Sequence, residues 1–555
     1  MSVTIICLYI ISAMFIYLFF HYKFLKLFEN TSTLSIFTKS KMSNKCGIWS
    51  IPGPMNIPFV GTKWIFLWQY KMSQIHKTYE DFHKRFGPIA LEVTPSGIPI
   101  VHLFARQDIE KVLRYPSKYP FRPPTEIISH YRQSRPDRYA SVGIVNEQGE
   151  QWLNLRSKLT PHILSPRIVQ AILPTLNEIS DDFITMLKWK RSSDNVVENF
   201  QDCANLMGLE GQTITFFRSC HSFRFIHFIS FSFSAICTLI LGRRMGFMSH
   251  NPPNKARILA TSVKEMFAMI RDSYYGFGLW KYFPTQTYRK FVEHEETIYN
   301  IVSEIVDASM ANESFECDDN DVKSVFFKLM QEKDLDIREK KSAIIDFISA
   351  GIETLANTLA FVLFYTTRDP KIQVQIRDEI DNCDNDFSRA FFTKACILEV
   401  FRLTPTAFCL ARLLEEDTNL SGYDLKAGVR RHALKVITSP KKNSNYFPIQ
   451  SIVLCHTMIA CNDESNFINA KKFEPERWID YENKRLKLDL GSALVVPFGI
   501  GKRTCPGKRF VELELIAVLS KLFSAFDVSY CGELKTEFEF LLVPKTPVNI
   551  KLVDR

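Results

Sequence analysis

Residues 497–510 read Pro-Phe-Gly-Ile-Gly-Lys-Arg-Thr-Cys-Pro-Gly-Lys-Arg-Phe, a glycine-rich loop presenting one cysteine, Cys505, just before a helical run. Gly499, Gly501 and Gly507 permit tight turns and close approach of a flat ligand, because glycine lacks a Cβ and tolerates positive φ. From Phe510 onward, Val511, Leu515, Val518 and Leu522 fall on one helical face, so that helix is expected to point its N-terminus at Cys505. Lys502, Arg503, Lys508 and Arg509 crowd the same stretch. Cations and a helix N-terminus both lower a thiol's pKa, and the loop is expected to hold the thiolate that a metal requires. A structural cysteine in a buried turn is the alternative. A four-thiolate zinc or iron–sulfur site is disfavoured by spacing, since none of the thirteen cysteines forms a Cys-x-x-Cys pair.

Upstream, residues 343–364 form a long apolar helix candidate that carries Asp346, Glu353 and Thr354. A carboxylate in such surroundings is costly unless it is paired or used. Thr354 has a simpler option, a bond back to the carbonyl of Ala350. Glu399 and Arg402 stand at i and i+3, adjacent on a helix face, and Arg477 lies within Phe473-Glu474-Pro475-Glu476-Arg477-Trp478. An isolated pair of this kind is usually solvated and contributes little. Trp152 and Arg156 share another helical face, a spacing that also suits cation–π packing.

The chain of 555 residues is 46% hydrophobic and 23% charged, ordinary for a globular protein with a large core. Its net charge of +9 comes from scattered basic residues that are not interleaved with exposed aromatics, which argues against nucleic-acid binding and for a basic face toward an acidic protein. The odd cysteine count and absent disulfide framework point to a reducing compartment. Residues 3–20 contain no charge, close to the roughly 20 residues that cross a bilayer, and Lys23 and Lys26 follow. This favours a membrane-directed segment over a cleavable signal, with an endoplasmic-reticulum anchor as one address. The Ser-, Thr- and Lys-rich stretch 21–48 leans instead toward a mitochondrial presequence, although it lacks arginine. Prolines at 52, 54 and 58 stiffen the linker that follows.

The pattern Phe498-x-x-Gly501-x-Arg503-x-Cys505-x-Gly507 resembles the haem-binding loop of the cytochrome P-450 monooxygenases at every fixed position. The resemblance implies a mainly α fold with small β-sheets, the triangular haem-thiolate monooxygenase fold. It implies haem b, iron protoporphyrin IX, with Cys505 as axial ligand in a loop shaped by Phe498, Gly499 and Gly507; a thiolate in that position favours O–O cleavage. By the same resemblance, Glu353 and Thr354 become a proton-delivery pair and Trp152, Arg156 and Arg503 hold haem propionates. Glu399, Arg402 and Arg477 become a structural network behind the haem.

Arg135-Pro136-Asp137-Arg138-Tyr139-Ala140-Ser141-Val142-Gly143, the Gln151–Leu159 run and the Asp346–Leu359 run look like the mitochondrial clan of arthropod enzymes. That likeness implies hydroxylation of a steroid, with ecdysone and its carbon 20 as the expected substrate and position; a broader sterol, lipid or xenobiotic hydroxylase is the alternative. Electrons would come from NADPH through a flavin reductase and an adrenodoxin-type ferredoxin docked on Lys394, Lys502, Lys508 and Arg509. A microsomal diflavin reductase is the other candidate donor. Where the clan usually has a lysine just before the helix glutamate, this chain has Leu398. The implied address is the mitochondrial inner membrane.

The resemblance spans about 50 to 555, so one haem domain over 51–555 is expected behind an anchor and linker at 1–50. Two segments look foreign to it. Residues 211–234 are rich in Phe and Ser and interrupt a helix whose phase is kept when they are deleted; residues 429–450 split a turn from the strand-like run after Ser451. Both read as retained introns, which would make an inactive gene-model product the non-enzyme alternative, or else as family-specific loops.

Overall fold

The computed structural model describes residues 46–58, 60–161, 171–198, 200, 254–275, 278–311, 329–383, 387–427, 452–483, 485–489, 493–545 and 547–555. The apolar segment 3–20 and both foreign-looking segments, 211–234 and 429–450, lie outside the described residues.

Helices dominate. Numbering those of eight residues or more, the described residues form α1 (Ile75–Phe86), α2 (Arg106–Leu113), α3 (Glu126–Ser134), α4 (Gly149–Leu159), α5 (Leu173–Lys190), α6 (Asn254–Tyr275), α7 (Gln286–Ala311), α8 (Ile337–Thr366), α9 (Pro370–Asp381), α10 (Phe391–Leu403) and α11 (Lys508–Ala525). A four-stranded sheet flanks them, with β1 (Ile89–Val93), β2 (Pro99–Leu103), β3 (Leu410–Leu413) and β4 (Ile452–Cys455) in the order β1-β2-β4-β3. Only the central β2–β4 pair is parallel, with Val101 opposite Val453. A second sheet pairs Phe526–Cys531 with Asn549–Asp554 and adds Val196–Val197. The mainly α class with small sheets is therefore what the chain adopts.

The longest element, α8, starts earlier than its apolar run, because Asp336 caps it by accepting from the Arg338 amide at 2.7 Å and Glu339 sits in the first turn, favourable to the helix dipole. It is long and apolar enough to cross a membrane, yet Ile344, Ile345, Ile348, Leu355, Leu359, Phe361 and Val362 are buried inside the protein. α8 is the spine against which α6, α7, α10 and α11 pack. α11 begins at Lys508 directly after the glycine loop and buries Leu515, Val518 and Leu522, the face read from the sequence; Val511 is half-buried.

Candidate active site

Gly499 (φ +75°) and Gly501 (φ +72°) adopt the left-handed backbone that non-glycine residues resist, and this folds the loop back on itself. The Cys505 amide then donates to the Phe498 carbonyl at 2.8 Å. Phe498 packs edge-on against Phe401 of α10 with ring centroids 5.3 Å apart. A Cβ at Gly507 would lie 3.7 Å from the Cys505 sulfur, so the sulfur sits over the first residues of α11.

The balance at the sulfur runs opposite to the expectation from its sequence neighbours. Burial pushes the Cys505 thiol up, and this outweighs the Gly507 and Lys508 backbone amides and the charges of Arg156 and Arg122 that pull it down. The cations that act on the sulfur are not the lysines beside it in sequence. Lys502, Lys508 and Arg509 are exposed, Lys502 donating to the Lys118 carbonyl and Lys508 reaching Glu512 at 4.0 Å. A bound metal cation would supply the charge that deprotonates a coordinating thiol.

Beside the sulfur, four arginines converge. Trp152 of α4 is buried, and the Arg503 guanidinium lies 3.9 Å from its ring centroid; the cation–π partner of Trp152 is thus Arg503, not Arg156. Arg503 donates to the carbonyls of Pro120 (2.9 Å) and Glu147 (2.8 Å) and to Gln148 Oε1 (3.1 Å). Arg156 donates to the Thr504 carbonyl at 2.6 Å, tying α4 to the cysteine loop. Arg122 and Arg412 join them. Burial pulls the Arg503 guanidinium well below its ordinary range, and the like charges of Arg122, Arg412 and Arg156 pull it further; Glu147 opposes more weakly. Burial likewise lowers Arg122, Arg156 and Arg412. Among the described residues none of the four forms a salt bridge. Buried uncompensated charge costs several kcal/mol per ion, so this cluster fits a ligand that brings anionic groups into the fold.

Arg122 and Arg412 were not evident in the sequence. The available signals were weak: an arginine inside Pro120-Phe121-Arg122-Pro123-Pro124, and a lone cation in a strand between Ala411 and Leu413.

On α8 the burial pattern breaks at one place. Ala350 is exposed and Gly351 and Thr354 half-buried, in a helix otherwise enclosed on this stretch. Thr354 donates its hydroxyl to the Ala350 carbonyl at 2.8 Å, the local bond open to any helical threonine. Glu353 is 6% exposed. Burial raises its pKa, which Lys264 opposes, and its Oε1 finds no hydrogen-bond donor among the described residues. Asp346 belongs to a different arrangement, an ion pair with Arg132 at 2.8 Å.

Glu399, Arg402 and Arg477 come together, and the first two are fully buried instead of solvated. Glu399 takes Arg402 Nε and Nη2 at 2.9 and 2.8 Å and Arg477 Nε at 3.1 Å. Arg402 goes on to donate to the carbonyls of Cys461, Ala470 and Lys472. Lys394, on the same helix, is half-buried, 5.9 Å from the Phe391 ring centroid.

Comparison with known proteins bears on this geometry. The family model described as Cytochrome P450 matches residues 51–552. Ecdysone 20-monooxygenase of Drosophila melanogaster is 52% identical over 527 residues, 92% of this chain and 89% of that protein. The mitochondrial 1,25-dihydroxyvitamin D(3) 24-hydroxylase of Mus musculus is 24% identical over 525 residues, 92% and 90% of the two chains. Mitochondrial cytochrome P450 302a1 of Drosophila melanogaster is 23% identical over 522 residues, 91% and 94% of the two chains. With a haem-thiolate family matched from end to end of the folded body, this chain belongs to the cytochrome P450 family and is a haem-dependent monooxygenase.

Proposed function

We propose that this protein hydroxylates ecdysone at carbon 20. The substrate rests on the likeness to the Drosophila enzyme over nearly the whole chain. The observation that carries the monooxygenase site is the unpaired arginine cluster beside a loop-held cysteine. A flat macrocycle with two carboxylates would be held by Arg122, Arg156, Arg412 and Arg503, with Trp152 packed under Arg503, and Cys505 would ligate its iron in the loop shaped by Gly499, Gly507 and Phe498. Haem supplies the one-electron and dioxygen chemistry when bound.

The net reaction takes C–H, O2, two electrons and two protons to C–OH and water, so two protons must reach the site. Glu353, kept protonated by burial to higher pH than an exposed carboxyl, holds one inside the fold, and half-buried Thr354 follows it on α8. For Thr354 to pass a proton its hydroxyl must leave the Ala350 carbonyl, which makes that 2.8 Å bond a resting arrangement. Glu399, Arg402 and Arg477 serve the scaffold behind the site.

Electrons come from NADPH through a redox partner. An acidic ferredoxin with its reductase suits the exposed Lys502, Lys508 and Arg509; Lys394, half-buried, contributes less, and Leu398 removes one docking charge. Mitochondrial relatives support a mitochondrial address. Membrane association is supported by exposed Trp49, Met55, Leu67 and Trp68 and by exposed Leu279, Tyr282 and Phe283.

The test is reconstitution of the purified protein with ferredoxin, reductase, NADPH and ecdysone. The 20-hydroxylated steroid is expected. Turnover of other sterols or lipids with none of that product would remove the substrate, and Cys505→Ser retaining the red-shifted carbon-monoxide band of the reduced enzyme would move the iron ligand elsewhere.

A further inference from the structure

The run Arg135–Gly143 leads into a buried charge cluster that the reacting site does not use. Arg132, at the end of α3, is 3% exposed. Its Nη2 lies 3.2 Å from Glu295 Oε1 on α7 and 2.8 Å from Asp346 Oδ1 on α8. Its Nη1 donates to Ser342 Oγ at 3.2 Å and to the Val142 carbonyl at 3.3 Å. The Tyr139 ring stacks 4.9 Å beneath the guanidinium while its hydroxyl donates to Glu295 at 3.2 Å. Gly143 has φ +87°, and a Cβ there would clash with both Arg132 Nη1 and Asp346 Oδ2. One side chain thus joins three helices and the loop that follows α3.

Position along α8 gives the cluster its meaning. Asp346 stands one turn before Ala350 and two turns before Glu353, on the same side of the helix. Downstream, Thr358 Oγ1 shares a hydrogen bond with Thr406 Oγ1 at 2.9 Å. Between these tethers lies the soft part of α8: the exposed Ala350, Gly351, a residue that weakens a helix by about 1 kcal/mol relative to alanine, and Thr354. The loop held by Arg132 continues to Glu147 and Gln148, which accept from Arg503 of the cysteine loop. The upstream tether therefore fixes α8 to the same segment that fixes the cysteine loop.

We propose that Arg132 and Asp346 are positioning residues for oxygen activation, setting the register of Glu353 and Thr354 relative to the cysteine loop from two turns away. The inference rests on Glu353 and Thr354 being the proton-delivery pair. Delivery depends on placement within a fraction of an ångström. When placement is lost, electrons from NADPH leave as peroxide, by two-electron reduction of O2 with two protons, and not as hydroxylated product.

The charge balance supplies a variant that should fold. The cluster holds one guanidinium against two carboxylates, so Asp346→Ala leaves a neutral Arg132–Glu295 pair. Asp346→Asn keeps an acceptor for Arg132 and is the conservative rescue. In full-chain holoenzyme, amide hydrogen exchange read by mass spectrometry should accelerate about tenfold across residues 346–354 in Asp346→Ala, with α11 unchanged. Product formed per NADPH consumed should fall at least about threefold, with peroxide making up the difference, and Asp346→Asn should recover half or more of both readouts. Wild-type exchange, a wild-type product ratio, or acceleration spread evenly over all helices overturns the proposal, the last because it marks a purely structural role. If the wild-type enzyme consumes NADPH without hydroxylating ecdysone, the substrate assignment fails, and the exchange comparison still decides the tether.

Discussion

Glu399→Gln tests the buried network most sharply. Both carboxylate oxygens are saturated: Oε1 accepts from Arg402 Nη2, Arg477 Nε and the Glu474 amide, and Oε2 from Arg402 Nε and Trp478 Nε1, all between 2.8 and 3.1 Å. In glutamine one oxygen becomes an NH2. Whichever way the amide turns, that group faces at least two donors and can accept from neither, and Arg402, at 0% exposure, keeps its charge without a counterion. Removing one member of a buried pair costs about 3–5 kcal/mol, against a total of about 5–15 kcal/mol for an ordinary protein. The expected result in urea unfolding followed by tryptophan fluorescence is a midpoint shift of that size, with haem content falling in parallel. Because no water reaches the pair, salt near 1 M, which screens surface charges within about 3 Å, should leave the shift intact. A difference from wild type below about 1 kcal/mol, or one that salt abolishes, would refute the reasoning.

Two further predictions follow from buried bases. Arg412→Met should stabilise the haem-free protein, by removing a like charge that acts on Arg122 and Arg503, yet speed haem loss to apomyoglobin about tenfold; equal or lower stability of the haem-free variant would count against the cluster as a site of stored repulsion. His76 is held neutral, its pKa lowered to about 4 by burial and then by Lys77. The unfolded chain takes up that proton below the ordinary histidine value of 6.5, so the contribution is full above that pH and is lost as pH falls toward about 4, roughly 3 kcal/mol in all. His76→Leu should flatten this part of the acid limb in urea titrations, and an unchanged pH slope would remove the group from the account.

What the sequence made legible is what short spacing determines. The cysteine loop, the start of α11 and the Glu399–Arg402 pair are each set within a few residues, where glycine geometry and helical period act directly. Arg122 and Arg412 were hidden because a strand pairing and a loop crossing bring them to Arg503, and neither leaves a periodic trace. The thiol was misjudged for a related reason. Lys502, Lys508 and Arg509 are its neighbours in the chain, but their long side chains run to solvent, whereas the desolvation that raises it comes from residues folded over it from elsewhere.

The costs within this fold converge on one physical point. Four guanidiniums without a salt bridge among the described residues, a buried glutamic acid with one oxygen lacking a donor, and a helix whose buried stretch is broken by exposed Ala350 and half-buried Gly351 and Thr354 are each unfavourable for a chain folding alone. The fully paired network at Glu399 lies on the adjoining α10, and the tethers at Asp346 and Thr358 bracket the soft segment of α8 from either side. A protein tolerates such concentrated cost where a ligand relieves it, and a ligand bound only by the folded state adds its own binding free energy to stability. The rigid parts of this chain thus surround a site that is finished by its cofactor, so substitutions in the arginine cluster should act on the haem-free and haem-bound forms in opposite directions, while substitutions at Glu399 should weaken both.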